Sequence, residues 1–512
     1  MRKWFPLLTV CLATLMLLVD ITIVSVAVPA MTTSLHSSLS ALQWTVDLYV
    51  LVLAALLMAA GSASDLVGRR RVYLVGLVVF AGASLACGLA PTSGLLVVAR
   101  GVQGLGAAAM LSTNIALLAG TYSGRDRSVA FGIWGAVNGI SAAAGPILGG
   151  LLTQHIGWRS IFLVNLPVAA LAWVIARRHV AESKNPVGGR VDVPGAITFT
   201  LAATLLIFGL IRVGDDGWTA PVPVALFAAT AAALVAFVLV ERRRRNPMLD
   251  LALARTPSFA ALMLGALILS ASAFANLVFV SIWAQSVLRF DPVAAGLVLT
   301  PLGAMAFVVS GFAGRFMNTI APQWPIGIGL LLIGAGGLLD MLVTGDSEWT
   351  ALLPGLLVTG AGVGISSPTL AAAAAAAVPP GKAGMAGAAV NTLRQFGFAL
   401  GIPIMTTAMA GAVRPVLAGS GYFPDLDPAT AAVTGGQADT VLDGLATTVH
   451  DAAGHTVRSA FVAGLDQIFL LSGTSALITA AVVLLLVRRA TPDGHQAPED
   501  HRALRAPTRN MP

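Results

Sequence analysis

The stretch Gly61-Ser62-Ala63-Ser64-Asp65-Leu66-Val67-Gly68-Arg69-Arg70-Arg71 lies between two long apolar segments. Gly68 suits a tight turn, and Asp65 can cap the N-terminus of a neighbouring helix. The arginines can pair with carboxylates across one face of a helix bundle. A plain cluster of positive charges beside a membrane would need only the arginines. The spacing of Gly61, Asp65 and Gly68 therefore favours a structured turn between two membrane-spanning helices.

The composition on both sides of this turn is typical of a membrane protein. Hydrophobic residues make up 57% of the 512 residues, charged residues only 10%, and the mean hydropathy is +0.85. A helix needs about 20 largely apolar residues to cross a bilayer. We therefore predict an all-α polytopic membrane protein with fourteen transmembrane helices. The predicted spans are 5–30, 41–62, 72–90, 94–119, 129–152, 160–176, 194–213, 221–240, 258–283, 293–314, 325–343, 350–372, 384–411 and 460–487.

Lysine and arginine concentrate on one side of these predicted spans. With Arg2 and Lys3 inside, the loops that hold Arg69–Arg71 and Arg242–Arg245 also fall inside, as the positive-inside rule requires. An even number of spans then places both termini in the cytoplasm. Anionic lipid of the inner leaflet accounts for the net charge of +7, so the charge does not indicate nucleic acid as a partner. Scarce lysine beside arginine and abundant alanine favour a bacterial inner membrane.

The spans form two six-helix blocks with two helices inserted between them. We predict an N-terminal bundle at 1–176, cytoplasmic linkers and two additional helices at 177–257, and a C-terminal bundle at 258–487. Transporters are commonly built from two similar halves with the substrate site between them. This layout therefore predicts a transporter.

Three polar regions of the second half and the tail carry no predicted chemistry. The segment 412–459, which contains His450 and His455, is expected to be a solvated outer loop rather than a metal site. Asp340 is expected at a solvated helix end. Residues 488–512 are expected to be a disordered cytoplasmic tail.

Asp20 lies deep inside the first predicted span, and Arg100 lies inside the fourth. Such a charge costs roughly 2.5 to 3.5 kcal/mol at the bilayer centre and usually marks an ion, proton or substrate pathway. A carboxyl whose surroundings alternate between wet and dry can exchange a proton, so Asp20 is the candidate proton carrier. Gln103 follows Arg100 by three residues and shares its helix face. The alternatives are a hydrogen-bonded packing role for Asp20 and an Arg100 that snorkels outward.

Small residues recur along the predicted fifth helix, and Gly145, Pro146, Gly149 and Gly150 form the densest group. Glycines at this spacing allow neighbouring helices to approach closely, and proline allows a bend. On spacing alone, a simple packing helix explains the pattern equally well.

Further polar residues within spans are candidates for a substrate cavity. Asp47 lies near Trp44 and Tyr49, so this part of the second helix could hold an organic cation, or it could belong to an aromatic belt at the membrane interface. Arg394 lies too deep in its helix to snorkel, and we expect it to face the cavity or to brace the two halves. Asn138 and Asn391 complete the candidate set.

These motifs resemble those of the major facilitator superfamily. The Gly61–Arg71 loop resembles the signature of that family, in which an Asp and Arg network latches the two halves at the cytoplasmic side. Gly145-Pro146-Ile147-Leu148-Gly149-Gly150 looks like the motif that marks antiporters within it, and Arg100-Gly101-Val102-Gln103-Gly104 resembles a helix-four motif whose arginine is linked to proton coupling.

Other stretches are similar to the fourteen-helix drug/proton antiporter group in particular. They are Asp20–Pro29, Trp158–Pro167 and Asn391–Gly397, so the resemblance runs from about residue 10 to residue 410. Members commonly have Asn where this chain has Ser25. The resemblance implies a latch at Gly61, Asp65, Gly68, Arg69 and Arg70, and proton coupling through Asp20 and Arg100.

The expected function is proton-coupled export of drugs or antibiotic-like amphiphiles by alternating access. No phosphate-binding glycine-rich motif appears, so we expect no nucleotide or other cofactor, and no catalytic pair indicates an enzyme. The expected partners are the substrate, protons and membrane lipid, without an obligate protein partner. The predicted tenth and thirteenth spans lack acids, which argues against dications. A dedicated exporter of one endogenous metabolite and a lipid translocator remain alternatives.

Overall fold

A computed structural model of the protein describes residues 2–37, 39–184, 192–244, 249, 251–313, 320–345, 347–379, 382–437, 442–443 and 450–488. All regular secondary structure within these residues is helical. We number the long helices α1 Phe5–Leu35, α2 Leu39–Val67, α3 Arg69–Gly88, α4 Ser93–Thr121, α5 Gly124–His155, α6 Asn165–His179, α7 Val193–Asp216, α8 Pro221–Arg243, α9 Pro257–Ser270, α10 Pro292–Ala313, α11 Gln323–Leu339, α12 Leu353–Ala376, α13 Ala383–Ser420 and α14 His450–Leu486.

Thirteen helical segments among the described residues are long and apolar enough to cross a membrane. They correspond to the predicted spans except the fifth. The predicted span 129–152 instead lies within α5, an unbroken helix of 32 residues that is not among the thirteen. The protein is therefore an all-α multi-pass membrane protein.

Two of the predicted spans are interrupted. The turn of helix Ser160–Leu163 precedes α6, because Pro167 has no N–H to bond the carbonyl of Leu163 and the helix breaks at Val164. The first part of the ninth span, α9, continues through a π-helical turn, Ala271–Ala275, into the helix Asn276–Ser286. The first break places Asn165 at the start of α6.

Helices α1–α6 form the first half of the bundle, and α9–α14 form the second half. The halves meet where α5 packs against α10 and α12, and where α2 and α4 pack against α13. Helices α7 and α8 pack on each other, and α7 also contacts α2 and α13, one helix from each half. The inserted pair therefore lies beside the junction of the halves.

The predicted solvated loop 412–459 is wrong over much of its length. Helix α13 continues to Ser420 and α14 already begins at His450. Between them a short helix, Leu426–Thr434, buries Val433, and Phe423 is buried as well. These apolar side chains belong to a buried cluster of the second half that includes Leu417 of α13 and Val457 of α14. The many acids of this segment suggested a solvated loop, but it contributes buried apolar side chains to the second half.

Asp340 is also not at a solvated helix end. Its side chain is only 2% exposed, and its Oδ1 atom accepts no hydrogen bond from the described residues. Close approach of α11 and α12 at Gly336 and Gly355 encloses it. The predicted disordered tail lies outside the described residues apart from Arg488, and so does the linker segment 185–191.

Candidate functional site

A buried charge pair lies within the first half. Arg100 of α4 donates through Nη1 to Oδ2 of Asp20 on α1, and both side chains are inaccessible to solvent. The same Nη1 donates to Gln103 Oε1 at 2.8 Å, and Arg100 Nε donates to the carbonyl of Thr45 on α2 at 2.7 Å. A buried charge needs such compensation, because removal from water costs several kcal/mol.

The second oxygen of Asp20 accepts two side-chain amides. Gln103 Nε2 and Asn165 Nδ2 each donate to Oδ1 at 3.0 Å. Both amides also donate to Ser84 Oγ on α3, at 3.2 and 3.0 Å respectively. The hydroxyl of Ser84 donates in turn to the carbonyl of Phe162. One carboxylate thus connects α1, α3, α4 and α6, and Arg100 adds α2.

The surroundings of Arg100 exclude the snorkelling alternative. Its guanidinium lies 4.0 Å from the ring centroid of Tyr49 and 5.9 Å from that of Phe162. Arg100 Nη2 and the hydroxyl of Tyr49 are buried and have no hydrogen-bond partner among the described residues. Arg100 therefore keeps one donor unused beside an unused hydroxyl, inside an aromatic enclosure.

Sequence reasoning found Asp20, Arg100 and Gln103 but assigned no role to Ser84 or Asn165. Asn165 follows the helix break that Pro167 causes, and this position turns it towards Asp20. A polar residue beside a proline in an apolar span is a signal that could have identified Asn165. Ser84 carries no such signal, because serine is common in membrane helices.

At one end of the bundle, Asp65 connects the two halves. Its carboxylate accepts Arg69 Nε at 2.9 Å and Nη2 at 2.8 Å. It also accepts the backbone N–H groups of Gly384 at 3.1 Å and Met385 at 3.0 Å, at the start of α13. Asp65 thus caps a helix N-terminus of the other half, as its position beside the turn predicts. A Cβ at Gly61 would overlap Ala388, so glycine permits this approach of α2 to α13.

The turn itself is held by a residue that sequence reasoning missed. Gly68 has φ 125°, a left-handed conformation that favours glycine. Glu182, in the linker after α6, accepts the backbone N–H groups of Arg70 at 3.1 Å and Arg71 at 3.2 Å. It caps the start of α3, while Arg70 Nη1 donates to the carbonyl of Val180.

The glycines of α5 permit contacts on two sides. A Cβ at Gly145 or Gly149 would meet α1, since Ile23 O lies 2.9 Å from the Gly149 position. A Cβ at Gly150 would meet Val293 of α10 in the other half. Pro146 lies within the same unbroken helix. Helix α5 therefore packs tightly against α1 of its own half and against α10 of the other half.

The remaining candidates are dispersed. Asn391 Nδ2 donates to the carbonyl of Leu111 across the halves, and Arg394 lies one turn further along the same face of α13. Arg394 is half-buried, and its side chain forms no hydrogen bond or ion pair with a described residue. Buried Asn138 donates to Trp134 O within its own helix.

The aromatic candidates of α2 point away from each other. Half-buried Trp44 lies against Phe208 of α7, with ring centroids 5.9 Å apart. Tyr49 is fully buried beneath Arg100 and does not accompany half-buried Asp47. Trp44 therefore lies beside the inserted helix α7, whereas Tyr49 faces Arg100.

Comparison with known proteins accords with this architecture. Residues 10–402 match the Major Facilitator Superfamily. The chain belongs to the major facilitator superfamily. This major facilitator is 33% identical to the tetracenomycin C resistance and export protein of Streptomyces glaucescens over 513 residues, which cover 98% of this chain and 94% of that protein. It is 36% identical to the multidrug resistance protein Stp of Mycobacterium tuberculosis over 397 residues, 77% of this chain and 74% of that protein.

Solved structures of the superfamily share the fold. The human organic anion transporter MFSD10 aligns with a TM-score of 0.61 and 15% identity, covering 94% of this chain and 99% of that one. The proton:xylose symporter XylE aligns with a TM-score of 0.61 and 14% identity, covering 95% and 96%. Family and fold are those of transporters rather than enzymes.

Proposed function

We propose that this major facilitator is a proton-coupled antiporter that exports antibiotic-like amphiphilic molecules across the bacterial inner membrane. The observation that carries the proposal is the buried pair of Asp20 and Arg100. A charge pair enclosed within a transmembrane bundle usually serves an ion or proton pathway. The names of the relatives, which include resistance and export proteins, support drug efflux as the direction and class of transport.

The coupling step is exchange of one proton at Asp20. Protonation removes the negative charge that Arg100 compensates, and it replaces an acceptor by a donor at the centre of the network. The hydrogen bonds that join α1 to α4 and α6 then weaken, while Arg100 retains Thr45 O, Gln103 and its unused Nη2. Because these contacts connect five helices of the first half, protonation changes how that half packs.

The gradient supplies the driving force. Each elementary charge that moves across the membrane is worth about 2.3 kcal/mol per 100 mV. In the proposed cycle, the latch around Asp65 closes the cytoplasmic end, substrate leaves to the outside, and a proton enters at Asp20. The latch then opens, the proton leaves to the cytoplasm, and substrate enters the space between the halves from the cytoplasm or the inner leaflet.

Arg394 bears on the choice of substrate. Its guanidinium lies on the face of α13 that meets the first half, and it is not neutralised by a described residue. A positive charge beside the substrate path disfavours dications by repulsion. We therefore propose neutral, monocationic or zwitterionic amphiphiles as the substrate class.

Dedicated export of one endogenous metabolite is the second candidate. It is favoured by the near full-length similarity to a Streptomyces protein that is named for resistance to, and export of, one compound. Both candidates use the same coupling network and differ in the residues that contact substrate.

The test is efflux of ethidium from proteoliposomes under an imposed pH gradient, with and without a protonophore. Gradient-driven efflux that the protonophore stops is expected for a proton-coupled multidrug exporter. Efflux that is unaffected by the protonophore would contradict proton coupling. Absence of ethidium efflux from folded, inserted protein would shift the assignment to the dedicated exporter.

A further inference from the structure

A cavity with a polar rim lies at the end of the bundle that carries the basic loops. It has a volume of about 500 Å³ and lies between the two halves. Its walls come from the starts of α5 and α9, the ends of α12 and α14, and the residues just before α11. None of the residues assigned to proton coupling or to the latch lines it.

Two guanidinium groups stand at this cavity. Arg127 is half-buried, and its guanidinium lies 5.9 Å from the ring centroid of Phe131 and has no ion pair or hydrogen bond with a described residue. Arg488 is exposed, and its backbone N–H donates to Ser258 Oγ at 3.4 Å, while its guanidinium has no hydrogen bond or ion pair with a described residue. The described residues that line the cavity include no acid. The positive charges of the Arg127 and Arg488 guanidinium groups are therefore available to an anion.

Uncharged hydrogen-bond donors also favour an anion in this cavity. The hydroxyl of Ser128 is buried, only 3% of its residue is exposed, and it has no hydrogen-bond partner among the described residues. Thr256 precedes the first turn of α9, and its hydroxyl donates to the carbonyl of Leu253 at 2.7 Å instead of capping the helix. Because Pro257 has no N–H, the N–H groups of Ser258 and Phe259 supply the partial positive charge at this helix start. Both Thr256 and Ser128 line the cavity.

Apart from Ser258 and Thr369, the rest of the described wall is apolar. Phe131, Phe259 and Leu262 are buried beneath the polar rim, and alanines of α12 complete the surface. A ligand that satisfies both regions has an anionic head and a hydrocarbon body. The cavity opens at the end of the bundle that the positive-inside rule assigns to the cytoplasmic leaflet, where anionic phospholipid is the abundant molecule of that kind.

We propose that this cavity, formed by Arg127, Ser128, Thr256, Phe259 and Arg488, binds an anionic phospholipid of the inner leaflet. The phosphate lies against the two guanidinium groups and the start of α9, and an acyl chain lies against Phe259 and the α12 alanines. Because the wall combines α5 of the first half with α9, α12 and α14 of the second, the bound lipid stabilises the arrangement in which this end of the bundle is closed.

The test compares lipid retention and thermal stability of purified full-length protein in mixed micelles. Phosphatidylglycerol is the anionic lipid, phosphatidylcholine the zwitterionic control, and glycerol 3-phosphate the soluble anion. The double variant Arg127→Gln/Arg488→Gln is compared with Arg125→Gln/Arg178→Gln, which removes two exposed arginines at the same end but outside the cavity. Native mass spectrometry counts retained lipid.

Wild type and the control variant are expected to retain phosphatidylglycerol and to melt at a higher temperature in it than in phosphatidylcholine. The cavity variant is expected to retain roughly tenfold less, since each basic contact with anionic lipid contributes appreciably. Equal retention by both variants would overturn the proposal. Equal stabilisation by glycerol 3-phosphate would show a site for soluble anions instead. Neither readout requires transport, so failure of proton coupling leaves this test unaffected.

Discussion

The carboxylate of Asp65 accepts the backbone N–H of Gly384 at 3.1 Å, which fastens the end of α2 to the start of α13. The two residues belong to different halves of the protein, so separation of the halves at this end must break the contact. The ion pair of Asp65 with Arg69 lies at the same point, and its two side chains are only 8% and 5% exposed.

The first prediction concerns this latch. Asp65→Asn is expected to destabilise the closed end, by an amount approaching the roughly 3–5 kcal/mol that breaking a buried ion pair costs. The apparent unfolding temperature in detergent should fall, and transport should slow. Asp126→Asn is the matched control, because its pair with Lys3 is exposed and worth about 1 kcal/mol or less. Equal effects of the two substitutions would contradict the latch.

The second prediction concerns the amide partner of Asp20. Asn165→Leu removes a hydrogen bond that the ionised carboxylate of Asp20 accepts. The ionised form is then less stabilised relative to the protonated form. The pH at which proton-coupled transport is half-maximal is therefore expected to shift upward. Asn138→Leu serves as the control, since that amide bonds only its own helix. Asn138→Leu is expected to leave the midpoint unchanged, and an equal shift in both variants would refute the assignment of Asn165.

The third prediction concerns helix packing at Gly149. A valine there would place its Cβ 2.9 Å from the carbonyl oxygen of Ile23, a backbone atom that cannot turn aside. Overpacking of this kind costs typically 1–3 kcal/mol, so the unfolding temperature should fall and transport should decrease. Gly82→Val adds the same side chain in α3, where nothing lies within 4 Å. A tolerated Gly149→Val would show that α1 and α5 separate freely.

The fourth prediction concerns Arg394 and the charge of the substrate. Arg394→Gln removes the positive charge from the face of α13 that meets the first half, so the efflux of dications relative to monocations should rise. Efflux of a bisquaternary dye and of ethidium from the same vesicles measures this ratio. Arg414→Gln is the control, since that arginine is exposed and pairs with Asp427 at 2.7 Å. An unchanged ratio in Arg394→Gln would place the arginine away from the substrate.

Sequence patterns predicted the features of the fold and of the candidate site that depend on local composition. The apolar runs predicted the helices, and the depth of Asp20 and Arg100 in their spans singled out two residues that form a buried ion pair in the structure. The position of Gln103 three residues after Arg100 likewise predicted their common face. These features follow from helical spacing and from the cost of desolvation.

Features that depend on tertiary contacts were missed or mistaken. Glu182 caps α3 from a linker more than a hundred residues away, and no local pattern indicates this contact. Asp340 is enclosed because glycines of two different helices bring them together there. The acids of 412–459 suggested a solvated loop, although Phe423, Val433 and Leu442 between them are buried.

Whether Asp20 carries the proton is tested by proton movement in proteoliposomes that contain wild type or Asp20→Asn. A pH-sensitive dye records this movement as a transported substrate is added. Wild type is expected to move protons opposite to substrate, whereas Asp20→Asn, folded and inserted, is expected to move none and no longer to accumulate substrate against its gradient. Wild-type proton movement and accumulation in Asp20→Asn would contradict the assignment of Asp20 as the proton carrier.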